Sequence, residues 1–313
     1  MVSTKPLVSI LVPVYNREGI ISETLSSALS QTYENIEVIV VDNASTDGTW
    51  AIICDYAKRD PRLKAFKNES NLGPVRNWLR CVDCATGVFA KILWSDDLIS
   101  PIFLEKTIPY FDDQQVGFVY TAAKIFTEES ESGVLSYING KTGVYDAESF
   151  ILGDFKAKGY PLSPGCAVFY LKDVKRNLML QIPSASGSDF SMHAIGNDLL
   201  LFLLTANQYK KIAYISSSLS YFRAHPGSIS VESADGKLPL HYDMARAYFA
   251  EMYRPDLIRI LNARLFLDLK KYPAAKGFGL ERISDFYVSN KIFNVSVFNI
   301  FIAAVRKVLR KFF

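Results

Sequence analysis

The sequence is poor in cysteine and does not carry the cysteine patterns of secreted or zinc-binding proteins. Its 313 residues include four cysteines, too few for a disulfide scaffold in a chain of this length. Cys81 and Cys84 form a lone CxxC on a predicted helix, and without a second pair they do not indicate a zinc site. No signal peptide precedes the first strand. We therefore expect a cytoplasmic protein.

Two other absences narrow the function. The formal net charge is only +3, which gives no electrostatic case for binding nucleic acid. The sequence contains neither GxGxxG nor GxxxxGK[ST], so it predicts neither a dinucleotide fingerprint nor a P-loop. A nucleotide would have to be held by carboxylate and amide contacts, with a metal ion on its phosphates.

The first hundred residues predict a parallel sheet. Hydrophobic residues make up 49% of the chain, enough to bury the core of one large α/β domain with an appendage. Short apolar runs alternate with segments of helical periodicity, with strands at 7–12, 36–41, 63–66 and 89–94 and helices at 20–29, 49–56 and 74–84. This is a repeated βαβ pattern, whose right-handed crossovers place the loops that follow the strands on one edge.

Polar segments follow each of these strands. They are 13–16, 42–49, 71–73 and 95–97. Open α/β sheets bind ligands at the carboxyl ends of their strands. The convergence of four polar segments at this edge therefore predicts a ligand crevice.

Asp96 and Asp97 end an apolar run and are the sharpest feature of that crevice. Adjacent acids beside a buried strand are costly unless a cation or ligand satisfies them. We expect a metal-bound, phosphate-bearing ligand there, and a solvated turn is the alternative. Asp42, at another strand end, suits contact with a nucleobase, or it serves as a turn or helix-capping residue.

The second half of the chain is less regular. We expect a helix at 103–111, strands at 116–122, 166–171 and 212–215, and variable loops at 127–143 and 160–165 that set the acceptor. Asp198 precedes a very apolar helix, where it would cap the helix or act as a desolvated general base. His225 is one of three histidines, and a lone histidine is more often structural.

Seven segments together resemble the inverting family 2 glycosyltransferases of the GT-A fold. They occur in the family's order as VSILVPVYN at 8–16, SQTY at 30–33, VVDNASTDGT at 40–49, NLG at 71–73 with Arg76 and Asn77, SDD at 95–97, ND at 197–198, and YFRAH at 221–225 with Gly227 and Ser228. The fold class implied is α/β, a Rossmann-like, mostly parallel sheet flanked by helices, with a C-terminal helical extension.

The resemblance also implies roles for individual residues. A nucleotide-sugar donor (UDP-, dTDP- or GDP-linked) would be held by Pro13, Tyr15, Asn16, Asp42, Asn71, Arg76 and Asp96. A divalent cation, Mn²⁺ or Mg²⁺, would bind Asp97, with His225 on the metal or pyrophosphate side. Asp198 would be the general base, with Asp189 next in line. The acceptor would be a saccharide or lipid-linked saccharide in bacterial surface polysaccharide or lipopolysaccharide assembly.

The sequence departs from the family pattern at two places. Trp94 replaces an acid of the common metal motif, which weakens the case for a metal, and Asn197 replaces an acid before the base. A non-catalytic nucleotide-sugar-binding relative is therefore an alternative. A nucleotidyltransferase is a third reading, although its glycine-rich phosphate loop is absent.

The expected organisation has three parts: the GT-A domain at 1–232, a helical extension at 233–289 and an amphipathic basic helix at 290–313. The last part is too short and too often interrupted by polar residues to span a bilayer. We expect it to lie on the cytoplasmic face of the inner membrane. Packing on the preceding helices, or on a second copy, is the alternative.

Overall fold

A computed structural model describes residues 5–225, 228, 236–289 and 296–309, without the side chains of 131, 297 and 306–309. Gly227, the 232/233 boundary and the basic residues Arg310 and Lys311 lie outside the described residues. The described strands are β1 Val8–Val14, β2 Ile36–Asp42, β3 Leu63–Lys67, β4 Phe89–Ile92, β5 Leu98–Ile99, β6 Val116–Phe126, β7 Val134–Ser136, β8 Gly143–Asp146, β9 Ala167–Tyr170 and β10 Lys211–Arg223.

These strands form one sheet. Its main order is β3-β2-β1-β4-β9-β6-β10-β5, with β7 paired to β6 and β8 paired to β10. The first four strands in this order are parallel, as the βαβ pattern predicted. Strand β9 is antiparallel to both of its neighbours. Because β1 and β2 pair from Val8 opposite Ile36 to Val14 opposite Asp42, Asp42 lies at the carboxyl edge.

The described helices are α1 Ile21–Leu29, α2 Thr49–Arg59, α3 Pro74–Cys84, α4 Phe103–Thr107, α5 Ala147–Phe155, α6 Leu171–Asn177, α7 Phe190–His193, α8 Asn197–Ala206, α9 Lys237–Tyr253, α10 Ile258–Lys271 and α11 Val297–Leu309. The helix expected at 103–111 ends early and continues as a 3-10 helix, Ile108–Asp112, which contains Pro109. The loop expected at 127–143 contains a short 3-10 turn and β7.

Alternate residues of the central strands build two cores. Val8, Ile10 and Val12 pack on one face of the sheet in a cluster with residues of α1 and α2. Leu11 and Ile39 face the opposite side, in a cluster with α3, α8, α9 and α10. Burial on both faces explains why these strands read as continuous apolar runs.

A buried ion network joins α9 to α5. Arg246 donates to Asp154 through Nε at 2.7 Å and Nη2 at 2.6 Å, and through Nη1 to Asp243 at 2.9 Å. Arg264 of α10 also lies 3.0 Å from Asp243. Helices α9 and α10 therefore share both a core and buried charges with the rest of the chain. In the part of the chain that the structure describes, every helix is too short or too polar to cross a membrane.

Candidate active site

The loops that follow β1 and β2 are fastened to each other. Asn16 has a left-handed backbone (φ +49°), a conformation that asparagine tolerates better than most residues. Its N–H donates to Ser45 Oγ at 2.9 Å, and its Oδ1 accepts from Thr46 N–H at 2.9 Å. Pro13 is half-buried in β1, and Tyr15 is 39% exposed. The Tyr15 ring is thus accessible to a ligand beside these loops.

Asp42 is fully buried at the end of β2. Its carboxylate accepts hydrogen bonds from the Ser45 hydroxyl and from the Ser45 N–H at 3.2 Å, and Lys67 Nζ lies 3.7 Å away. The turn role that the sequence left open for Asp42 is therefore present. Contact with a nucleobase stays a prediction.

An amide network positions Asn71. Asn43 Nδ2 donates to Asn71 Oδ1 at 2.8 Å, and Asn43 Oδ1 accepts from Asn68 Nδ2 at 2.8 Å. Asn68 Nδ2 also donates to Asn77 Oδ1 at 2.9 Å. The sequence pattern was not interpreted as giving roles to Asn43 and Asn68. Each follows a strand directly, and an amide side chain at that position was the signal that could have identified them.

Arg76, on the exposed side of α3, reaches across to α7. Its Nη1 donates to Ser191 Oγ at 3.0 Å, and that hydroxyl donates to Asp189 Oδ1 at 2.6 Å. Gly73 packs closely against α7, because a Cβ there would lie 2.7 Å from Met192 Sδ. The side chain of Met192, 55% exposed, is therefore a further surface beside Arg76 that the sequence did not indicate.

Asp96 is the centre of a charged cluster. Its Oδ2 lies 3.0 Å from His225 Nε2 and 3.9 Å from an Arg17 guanidinium nitrogen. The Asp96 carbonyl accepts from Arg223 Nε at 3.1 Å. The structure thus brings Asp96 and His225 together, and it adds Arg17 and also Arg223, which the sequence had quoted in the segment YFRAH without giving it a role.

Asp97 points into the protein and is 6% exposed. Its Oδ1 accepts from the Arg223 N–H at 3.0 Å. Burial, and then the neighbouring charge of Asp96, raise the pKa of Asp97 well above its usual value. A solvated turn does not describe this residue.

The donor types at this corner suit a hard divalent cation. Two carboxylates and an imidazole nitrogen are ligands that Mn²⁺ and Mg²⁺ accept. A cation would also relieve the repulsion that raises the pKa of Asp97. Within the described residues no three His, Cys, Asp or Glu side chains already converge as a metal-ligand group. The residues fit the ion through the pair Asp96 and His225, with Asp97 behind it.

Asp198 stands at the first turn of α8. Gly196, with φ +107°, turns the chain so that its N–H donates to Asp198 Oδ1 at 3.0 Å, as does Leu199 N–H at 2.8 Å. Tyr242 of α9 donates its hydroxyl to Oδ2 at 2.7 Å. Burial raises the pKa of Asp198 to about 6, against the opposing effect of these hydrogen bonds. Asp198 therefore caps α8 and is also more basic than an ordinary aspartate.

The pKa of Asp189 is shifted in the opposite direction from that of Asp198. The hydrogen bond from Ser191 lowers the pKa of Asp189, and its position leaves the carboxylate largely in solvent. A weaker base is a poorer acceptor of a proton from a hydroxyl. The difference in pKa therefore favours Asp198 over Asp189 as the candidate proton acceptor.

Tyr137 interacts with both Asp198 and the loop at 160–165. It holds a left-handed backbone, φ +59°, which is strained for a bulky residue. Burial raises its pKa, and the hydroxyl interacts with main-chain groups of Leu162 and Ser163 and with the Asp198 charge. Tyr137 and Tyr242 were both missed, because each comes from a distant segment.

Trp94 and Lys91 hold the other side of the same loop. Trp94 Nε1 donates to Ser163 Oγ at 2.9 Å, and its ring packs edge-on against Trp78 with centroids 5.0 Å apart. Lys91 Nζ donates to the Gly165 carbonyl. Burial lowers the pKa of Lys91 to about 7. Trp94 therefore fastens a loop where the family pattern has an acid.

Two solved structures share this architecture. The S. aureus TarS 1–349 complex with UDP-GlcNAc aligns with 90% of this chain and 79% of its own at a TM-score of 0.64 and 19% identity. The mannosyltransferase PcManGT from Pyrobaculum calidifontis, in complex with GDP-Man and Mn²⁺, aligns with 99% and 89% at a TM-score of 0.54 and 18% identity. The fold is the GT-A fold that the sequence predicted.

Sequence comparison gives the family. The model of the family described as "Glycosyl transferase family 2" matches residues 9–175, which are more than half of the chain. The chain therefore belongs to this family. The minor teichoic acid biosynthesis protein GgaB of Bacillus subtilis is 27% identical over 233 residues, which are 72% of this chain and 24% of GgaB. With several other curated relatives the match spans 33% to 51% of their length.

Proposed function

We propose that this chain is a metal-dependent, inverting glycosyltransferase. It moves a sugar from a UDP-, dTDP- or GDP-sugar to a saccharide or lipid-linked saccharide acceptor. The observation that carries the proposal is a buried carboxylate of raised pKa at Asp198 in the same fold as the Asp96 and His225 pair. The loop at 160–165 contacts the surroundings of both, through Tyr137 and Trp94.

Each group has a task in the reaction. The acceptor hydroxyl attacks the anomeric carbon, its proton passes to an Asp198 carboxylate oxygen, and the bond from carbon to the diphosphate oxygen breaks. The diphosphate leaves with the bonding electrons, and direct attack inverts the anomeric centre. A divalent cation, when bound, would supply positive charge for the leaving diphosphate. Arg17, Arg76 and Arg223 add fixed positive charge near the same crevice.

The donor side rests on the loops that follow β1, β2 and β3. Tyr15 offers an accessible ring for a base to stack on, and the exposed amide of Asn71 is available to base or ribose groups. Asp42 is fully buried, and it would serve the donor by holding the Ser45 turn that follows β2. TarS and PcManGT were solved with UDP-GlcNAc and GDP-Man, respectively, which supports a nucleotide-sugar donor here.

The name of GgaB supports surface polysaccharide assembly as the setting. Nucleotide sugars are used in the cytoplasm, so a lipid-linked acceptor would place the enzyme on the cytoplasmic face of the inner membrane. The three-part organisation at 1–232, 233–289 and 290–313 fits this proposal, with the last part nearest the lipid.

A binding and product panel tests the proposal. Purified protein is mixed with UDP-, dTDP- and GDP-sugars, with and without Mn²⁺, and thermal shift and released products are measured. We expect Mn²⁺-dependent stabilisation by one nucleotide class and slow release of the nucleoside diphosphate. Stabilisation without release would favour the binding relative, and pyrophosphate release would favour a nucleotidyltransferase.

A further inference from the structure

Helix α11 is packed on one side only. Asn299, Ile302 and Ala303 line a cavity between α11 and α10, and Asn299 Nδ2 donates to the Arg259 carbonyl at 3.4 Å. These contacts fix which side of α11 faces the protein. The opposite side of α11 faces away from α10.

The opposite side is apolar and open. Phe298 is 70% exposed, Phe301 67% and Val305 40%. Their spacing of three and then four residues places them on one stripe of the helix. We call these three residues the α11 stripe.

Positive charge accompanies the stripe. The last 24 residues of the sequence, 290–313, contain five lysines and arginines and no aspartate or glutamate. An apolar stripe in a segment whose sequence carries only positive charge complements a surface with an apolar interior and anionic headgroups.

Helix length determines how such a surface would be met. The 13 residues of α11 extend about 20 Å, less than the roughly 30 Å of a bilayer core. The helix can therefore lie in the headgroup region and cannot span the bilayer.

We propose that the α11 stripe docks this protein on an anionic lipid bilayer. The stripe exposes roughly 300–400 Å², well below the roughly 800 Å² per partner that a stable protein dimer needs. A bilayer needs no such minimum, because each inserted ring contributes independently. This inference deepens the proposed membrane location and does not depend on the transfer chemistry.

Vesicle sedimentation tests it. Full-length wild type and the double variant Phe298→Gln with Phe301→Gln are mixed with vesicles rich in phosphatidylglycerol, or with pure phosphatidylcholine. We expect wild type to sediment with the anionic vesicles, and the double variant to lose about tenfold or more in partitioning. Partitioning of wild type to phosphatidylcholine vesicles should also be about tenfold weaker than to the anionic vesicles. The matched control is Val134→Gln with Leu135→Gln on β7, where the residues are 74% and 53% exposed, and it should sediment as wild type does.

The inference would be overturned by wild type that does not bind anionic vesicles, by a double variant that sediments fully, or by a β7 control that loses binding equally. A dimer that forms without lipid and dissociates in the double variant would also overturn it, in favour of a second copy. The nucleotide panel on the same proteins separates the two proposals, because the α11 variant should keep wild-type nucleotide binding.

Discussion

At the scale of single residues, the site separates two carboxylates by environment. Asp198 is buried and its pKa is raised to about 6, whereas hydrogen bonding lowers the pKa of the more open Asp189. The substitution Asp198→Asn is nearly isosteric. The new Oδ1 can accept the N–H groups of Gly196 and Leu199, and the new amide can donate to Tyr242.

Asp198→Asn should therefore lower transfer by about 10²- to 10⁴-fold while nucleotide binding stays close to wild type. Only the ionised carboxylate can accept the proton, so wild-type kcat should rise with pH through about 6. The variant should lack that limb. Steady-state rates across pH and a nucleotide titration measure both effects, with Asp189→Asn as the matched variant. Full turnover in Asp198→Asn would transfer the role elsewhere.

The same substitution should change stability with pH. Because the folded-state pKa of Asp198, about 6, lies above the ordinary 3.8, the folded protein holds this proton more tightly and loses stability as pH rises from 3.8 to 6. Above that window the cost is about 3 kcal/mol. We expect Asp198→Asn to raise the unfolding free energy at pH 8 by up to about that amount, and hardly at all near pH 4. Urea unfolding at the two pH values checks this, and an equal change at both would contradict it.

Asp97→Asn tests the cation site. The amide oxygen can still accept the Arg223 N–H, but the amide cannot ionise to give the carboxylate that a divalent ion would bind. We expect the Mn²⁺-dependent part of the binding of the nucleoside diphosphate identified by the panel, measured by calorimetry, to weaken by about tenfold or more. Asp113→Asn, on a carboxylate that is 37% exposed and paired with Lys211, is the control. Undiminished Mn²⁺ dependence in Asp97→Asn would remove Asp97 from the site.

At the scale of elements, the loop at 160–165 is held by Lys91 of β4, by Trp94 and by Tyr137. Trp94→Phe and Ser163→Ala each remove the same 2.9 Å hydrogen bond. Each should cost about 1 kcal/mol, and the double variant should cost clearly less than the sum. Denaturant unfolding of all four proteins measures the cycle. Strict additivity would show that the bond does not hold the loop.

The buried ion network between α5 and α9 should contribute more to the free energy of unfolding than the hydrogen bond between Trp94 and Ser163. Arg246→Met leaves Asp154 and Asp243 without their shared buried partner, so we expect a loss of about 3–5 kcal/mol. Arg254→Met is the matched control, because Arg254 also reaches α5 at Glu148 but its acidic partners are about half exposed. It should cost less than about 1 kcal/mol. Similar losses for the two variants in urea unfolding would contradict a buried network.

At the scale of the whole molecule, the sequence predicted the first half well. Strong periodicity and polar residues at strand ends identified α3 to the residue, and also the edge where Asp42, Asn71 and Asp96 lie. Periodicity carries no information about strand order, so the antiparallel insertion of β9 was not foreseen. Tyr137, Tyr242 and Trp94 were not assigned to the site for a related reason. Their roles arise from tertiary contacts between distant segments.

The central claim is that Asp198 drives transfer from a nucleotide sugar. The most direct test is nucleoside diphosphate release from the donor identified by the binding panel, measured for wild type and Asp198→Asn at saturating donor and Mn²⁺. The account predicts release by wild type and at least a hundredfold less by the variant, with equal donor affinity. Equal release by both proteins, or none by a wild type that binds the donor tightly, would contradict it.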